Sequence, residues 1–540
     1  VTPRVAPTAT VRDACFDVMR AEGMTTIFSN PGSTEIPFLT DLPGEFRFVL
    51  ALHEGSVVGI ASGHALGTGE PAFVLLHTTA GLGNAVGAIA TARVNHAPMV
   101  IVVGQQDRRH LALEPFLAGR LGGLAGDYPL DVLIPVIAAD VPSALRRATH
   151  TAREGNGPVI VIVPMDDWDE LVDPGSTATA SRSILSPRGV PIELAELEAA
   201  LASADLPVIV AGSGNDSQAG WAALTELAER LNAPVWQEPF GSRAGFPQDH
   251  SLYRGQLPAD RPRLRDTLCD HDLLLVVGTA ALRQYPYRPG PLVPDGIRTF
   301  VLTADPAEAH RSPAELAIIG DPAVLCRALA AALPAPRRAA CATAPQSSYR
   351  LVASGDGPLR AAHVFQLLAD RLPPETTIVE ESPSSRPALE SLIPARRPFA
   401  FLSAAMGGLG FAMPAAIGLK LGRPRHPVLA IIGDGSSMYS IQSLWTAATL
   451  GVGTVFIVLN NGGYAVMNRL AEQRGGRAPW PAFGNLSVSV IARGLGVEAR
   501  VIEGYADLAA VLDEVLPSLA DRTSPLVLEV VVAPDEAFAP

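Results

Sequence analysis

The chain predicts an α/β protein made of three doubly wound parallel-sheet domains. Three observations carry this. Short apolar runs alternate with helical segments along nearly all of the 540 residues. Two stretches rich in Pro, Ala and Ser interrupt that alternation, and the length exceeds what one hydrophobic core organises. The expected domains are 1–180, 190–335 and 358–540, with linkers over 173–188 and 334–357.

In the first domain a helix follows Thr10, and strands run over Thr25–Phe28, Phe48–Leu52, Ala72–Leu76, Met99–Val103 and Val159–Val163. Ser33 lies in the turn Pro31-Gly32-Ser33 after one strand, His77 ends another, and Glu54 stands where a strand meets a helix of small residues. Each has an ordinary structural explanation: a turn residue, a structural histidine, a helix-start carboxylate. In the middle domain Val208–Ala211, Val235-Trp236, Leu273–Val277 and Thr299–Leu302 are apolar runs that each end in Gly, Pro or Asp.

The third domain holds the strongest signal. An apolar run, Val428–Ile432, ends in Gly433-Asp434-Gly435, a helix follows from near Ser436, and a second run, Thr454–Leu459, ends in Asn460-Asn461-Gly462-Gly463. In a parallel sheet both strand ends face one crevice, where such folds bind ligands. Asp434, Asn461 and a carbonyl from the following turn form a hard oxygen set suited to Mg²⁺ carrying phosphate oxygens, and helix-start N–H groups favour a diphosphate there. Asp-Gly and Asn-Gly also end strands as plain turns.

Other features narrow the class. A net charge of −13 argues against a nucleic-acid or anionic-membrane partner. The four cysteines have no disulfide or zinc spacing, and no apolar run is long enough to cross a bilayer, so a cytoplasmic protein is expected. Gly81-Leu82-Gly83-Asn84, read as a turn, begins a weak imitation of a dinucleotide fingerprint completed by Gly87. Close packing explains it, as it does Gly212-Ser213-Gly214; the rival is a flavin or nicotinamide oxidoreductase.

The GDG and NN elements at this spacing are similar to the thiamine-diphosphate motif, and the domain order resembles the pyruvate oxidase and decarboxylase type: pyrimidine-binding, middle and diphosphate-binding domains. SNPGSTEIPFL, ALHEGSVVGIASG, PAFVLLHTTAGLGNAVGA, VPMDDWD, AAMGGLGFAMPAAIG and GDGSSMYSIQSLWTAA look more narrowly like benzoylformate decarboxylase. The resemblance implies Glu54 as the carboxyl group that hydrogen-bonds the cofactor's aminopyrimidine. It implies Asp434, Asn461 and the Gly463 carbonyl as ligands of Mg²⁺, for which Ca²⁺ can substitute, with Gly435, Ser436 and Tyr464 near the diphosphate. Leu409 matches the apolar prop under the cofactor and the Gly407 carbonyl a partner of its amine. Ser33 and His77 match substrate-facing residues.

The same resemblance implies a 2-oxo acid substrate, an active site between subunits and a homotetramer. The sequence departs from the family in the middle domain, where Tyr285 stands in place of a second active-site histidine. A phenol, of reference pKa about 10, is not a near-neutral acid-base group. Val466 and Leu470 replace a small and an aromatic pocket residue, and Pro383 interrupts a polar stretch. The expected reaction is non-oxidative decarboxylation of an aromatic 2-oxo acid; carboligation to 2-hydroxy ketones is the alternative. A catalytically silent relative would lack Glu54, Asp434 or Asn461, and all three are present.

Overall fold

The computed structural model describes residues 9–172, 189–334 and 357–534, so the expected linker 173–188, and all but the two end residues of 334–357, lie outside the described residues. Three six-stranded parallel sheets form the fold. The chain divides into two compact units, one of Val1–Ile184, Leu372–Ser384 and Ala404–Pro540, the other of Leu185–Arg371 and Ser385–Ser403.

In the first sheet the strand order is Arg47–Leu50, Thr26–Asn30, Ala72–His77, Met99–Gln105, Pro158–Pro164 and Val132–Leu133. The chain runs outward in both directions from the neighbours Thr26–Asn30 and Ala72–His77, so the switch point lies between strands that end in Asn30 and His77. Met99–Gln105 and Pro158–Pro164 are buried along their whole length, which is why their sequences are continuously apolar rather than alternating. The helix Val11–Ala21 is held at its start by a capping box in which Thr10 and Asp13 bond each other's backbone.

Within the first unit the third sheet has the order Thr377–Glu381, Val428–Gly433, Val455–Asn460, Leu526–Val531 and Glu498–Ile502. Its switch point lies between strands that end in Glu381 and Gly433, one residue before Asp434. Both switch points belong to the first unit, and two helices of that unit lock together. Glycines at every fourth position of Glu54–Thr68 meet Ala412–Gly422: a Cβ on Gly59, Gly63 or Gly67 would fall within 3 Å of Pro414, Ala415 or Leu419.

The middle sheet has Pro207–Ala211 and Leu273–Val277 at its centre. Its switch point is filled by backbone, since a Cβ on Gly214 would lie 2.9 Å from the Gly278 carbonyl oxygen. Close packing therefore accounts for the Gly212-Ser213-Gly214 run.

Two sequence expectations are corrected. Gly81–Asn84 is not a turn: the helix Thr78–Val94 starts immediately after His77 and contains it. Only Gly81 is packed closely, where an added Cβ would lie 3.3 Å from the Leu76 backbone, while Gly83 and Gly87 face open space, so packing explains one glycine rather than the set. The segment after Asp434 is not one helix but a short turn of helix, Asp434–Ser437, and a separate helix, Ser443–Leu450. The Ser437 hydroxyl donates to the Asp434 carbonyl at 2.7 Å, a side-chain bond of the kind that competes with a continuing helix.

Candidate active site

Glu54 is the first residue of the helix Glu54–Thr68, whose N-cap is His53; the His53 Nδ1 accepts the Gly55 N–H at 3.0 Å. Glu54 is 8% exposed. Its Oε1 accepts from the Asn30 amide and its Oε2 from the Asn84 amide, both at 3.0 Å. Two neutral donors orient a buried carboxyl group without an ion pair, and each oxygen keeps a lone pair for a ligand.

His77 and the Ser33 turn come together at the switch point of the same sheet. A Cβ on Gly32 would lie 2.4 Å from the His77 Cγ, so the backbone beside Ser33 lies flat against the imidazole and only glycine fits. Nδ1 of His77 lies 3.0 Å from Oε2 of Glu35 and 2.9 Å from the Thr34 hydroxyl. Glu35 is 1% exposed, accepts the Gly32 N–H at 2.8 Å, and also receives the Thr34 hydroxyl. A carboxylate at Nδ1 places the neutral ring's proton there and leaves Nε2 as the basic atom. Ser33 itself is exposed at the start of the short helix Ser33–Glu35.

At the third sheet the Asp434 carboxylate joins the two strand ends. Its Oδ1 accepts from Gly435 N–H at 2.8 Å and its Oδ2 from Gly462 N–H at 2.9 Å. The Asn461 side-chain oxygen accepts from Gly463 N–H at 3.2 Å, and the Gly463 carbonyl from Ala465 N–H at 3.1 Å, each with a lone pair to spare. Burial pushes the Asp434 carboxyl above the ordinary aspartate range, against the pull of the N–H groups around it. A divalent cation would relieve that cost, so this hard-oxygen set fits a magnesium-type ion.

Beside this site lies a cavity of about 530 Å³ lined by Gly435, Met438, Tyr464 and the segment 482–486. Tyr464 and Phe483 meet edge to face with centroids 4.7 Å apart, and a Cβ on Gly435 would lie 2.7 Å from the tyrosine ring. Ser436 is buried next to Gly435. Val466 and Leu470 lie one helical turn apart and half-buried on Ala465–Gln473. Gly407, at φ +67°, and Leu409 lie on the loop before the helix Ala412–Gly422. Tyr285 belongs to the other unit, where it is 60% exposed and donates its N–H to Ala259.

Sequence reasoning missed Asn30, Asn84, Thr34 and Glu35. Glu35 stands three residues after Gly32, a spacing that reads as a helix cap, and the cap bond is indeed present. Its second role appears only when Ala72–His77 pairs beside Thr26–Asn30. Asn84 lay in the presumed turn, and only its helical placement brings the amide to Glu54.

Three family descriptions match the chain: the thiamine pyrophosphate enzyme N-terminal domain over residues 9–123, the central domain over 194–329 and the C-terminal domain over 385–530. The chain belongs to the thiamine pyrophosphate enzyme family. Within it, the chain is 39% identical to benzoylformate decarboxylase of Pseudomonas aeruginosa over 96% of its own length and 98% of that protein. The solved 4-hydroxybenzoylformate decarboxylase of Rhodococcus jostii RHA1 superposes with a TM-score of 0.92 at 35% identity, covering 98% of this chain and 100% of that one. Benzoylformate decarboxylase from Polynucleobacter necessarius gives 0.93 at 30% identity, covering 99% and 100%. Among the described residues no helix is long and apolar enough to cross a membrane.

Proposed function

We propose that the protein removes CO₂ from a 2-oxo acid, an aromatic one of the benzoylformate type, and releases the aldehyde. The observation that carries this reading is the His77–Glu35 pair beside Ser33, a proton-transfer group with its tautomer set and its Nε2 available. The similarity to two benzoylformate decarboxylases and a 4-hydroxybenzoylformate decarboxylase supports the substrate class. When bound, thiamine diphosphate supplies the electron sink for the bond that breaks.

In this reading Asp434, Asn461 and the Gly463 carbonyl hold Mg²⁺, or Ca²⁺ in its place, and Gly435, Ser436 and Tyr464 flank the diphosphate. Glu54, oriented by the Asn30 and Asn84 amides, would hold a proton facing the aminopyrimidine. The Ser33 hydroxyl donates to the substrate carboxylate. His77 Nε2 would hold the proton shared with the substrate's carbonyl oxygen and recover it at product release, while a separate proton, taken up from water, would end on the former carbonyl carbon in place of CO₂. Val466 and Leu470 shape the space for the substrate side chain. The chain works as a homo-oligomer, a tetramer, with each site assembled from two subunits.

A second reading, carboligation, rests on Tyr285: without a near-neutral acid at that position, protonation that ends decarboxylation slows and a second aldehyde competes. A panel of 2-oxo acids with thiamine diphosphate and Mg²⁺ separates the readings. Aldehyde and CO₂ in equal amounts support decarboxylation, a 2-hydroxy ketone supports ligation, and no CO₂ from any aromatic or aliphatic member rejects both.

A further inference from the structure

The carboxylate at the switch point of the third sheet, Glu381, plays no part in the site described so far. It ends the strand Thr377–Glu381, is 4% exposed, and accepts three backbone N–H groups at 2.7 Å: Gly410 on Oε1, Phe411 and Ala412 on Oε2. Only Ala412 lies inside the helix Ala412–Gly422; Phe411 is its N-cap and Gly410 precedes it. A helix cap needs a hydroxyl or short carboxylate next to the helix, not a buried glutamate reaching across from another strand. The grip extends upstream, onto the residue that follows Leu409.

The other end of the same loop is also pinned. Ala405 N–H donates to the side-chain oxygen of Asn95, itself fully buried, at 2.9 Å. Between the pins Met406 is 47% exposed and Gly407 and Gly408 are exposed, whereas Ala405 and Phe411 are buried. Gly410, at φ +97°, would place a Cβ 3.1 Å from that of Tyr439, so the turn into the helix has one allowed course. An exposed tip is thus carried on two buried anchors, the arrangement that holds a recognition loop rigid without covering it.

We propose that Glu381 is a positioning residue that fixes the loop 405–410, and with it Leu409 and the Gly407 carbonyl, for the ring portion of the cofactor. This rests on the reading of those two residues as cofactor contacts. Burial pushes the Glu381 carboxyl up to about 7 despite three N–H groups that favour the anion.

Calorimetric titration of the metal-loaded apoprotein with thiamine diphosphate and, separately, with inorganic pyrophosphate tests this. Pyrophosphate engages only the Asp434 and Asn461 end, so it reports the diphosphate grip without the ring. In Glu381→Gln one oxygen acceptor becomes a donor; thiamine diphosphate should bind about tenfold more weakly while pyrophosphate affinity stays within about twofold. Amide exchange at Gly410, Phe411 and Ala412 should accelerate in the same variant. Equal weakening of both ligands, or of neither, overturns the proposal. Should Glu381→Gln fail to fold, Asn95→Ala releases the other anchor with Glu381 intact, and the same split is required of it. An unaltered protein that takes up pyrophosphate but not thiamine diphosphate overturns the proposed function instead, which is known before any variant is made.

Discussion

Gly63 and Ala415 touch backbone to backbone: a Cβ on Gly63 would lie 1.9 Å from the Ala415 carbonyl oxygen, and in return a Cβ on Gly418 would lie 1.8 Å from that of Ile60. The helix that begins at Glu54 is thereby set directly against the helix whose start Glu381 holds. Overpacking such a contact typically costs about 1–3 kcal/mol, and more where backbone must move. Gly63→Val should therefore lower stability by at least about 3 kcal/mol, read from the denaturation midpoint, whereas Gly44→Ala, at a position with nothing within 4 Å, should change it little.

The proton-transfer assignment predicts unequal losses at neighbouring residues. His77→Ala should reduce kcat by about 10²–10⁴ on the best acid of the substrate panel. Glu35→Gln keeps a partner for Nδ1 but removes its charge, and an orienting partner of this kind is worth about 10–100-fold. Steady-state kinetics check both, and a Glu35→Gln enzyme of unchanged kcat would remove Glu35 from the mechanism.

The metal reading predicts a stability linkage. Saturating Mg²⁺ and thiamine diphosphate at about 100 times Kd should stabilise the unaltered protein by about 2.7 kcal/mol, visible as a raised Tm. A chelator should reverse the rise, and Asp434→Ala should abolish it.

A site assembled from two subunits predicts complementation. Glu54→Gln and Asp434→Ala should each be inactive alone, but chains unfolded together and refolded as mixed oligomers should regain activity, because one site then carries both defects and its twin neither. Mixtures as inactive as their components would place Glu54 and Asp434 of one chain in one site.

His64 predicts a pH dependence. Burial, aided by the nearby Arg47 charge, lowers its pKa to about 4, and its ring packs against Phe28 at 5.2 Å. The folded state therefore binds a proton less readily than the unfolded one, so this contribution is complete above the unfolded value of about 6.5 and is lost as pH falls towards 4. Over that window the loss is on the order of 3 kcal/mol. Chemical denaturation at a series of pH values should show it, and His64→Gln should flatten that part of the profile.

The polar strand ends of the candidate site were legible because a parallel strand is a continuous apolar run and its polar terminus is conspicuous. Asp434 and Asn461 stand out for that reason, as do Ser33 and His77. Glu35, Asn30 and Asn84 were not legible, because each acts on a residue 24 to 42 positions away whose proximity comes from strand order. Glu381 was hidden by a polar stretch, Glu380 to Ser384, in which nothing marks one carboxylate as the anchor of a loop beyond Leu409.

The sequence by itself determined three parallel-sheet domains, the strand ends that carry the polar groups and the chemical kind of ligand those groups suit, since periodicity and residue type are local properties. Tertiary structure alone decided which strand ends adjoin, that Glu54 is held by two amides, that His77 turns Nδ1 towards a buried carboxylate, and that glycines every fourth residue serve one helix crossing. The physical reason is that hydrogen bonds and close packing act over about 3–4 Å in space, a distance that says nothing about separation along the chain.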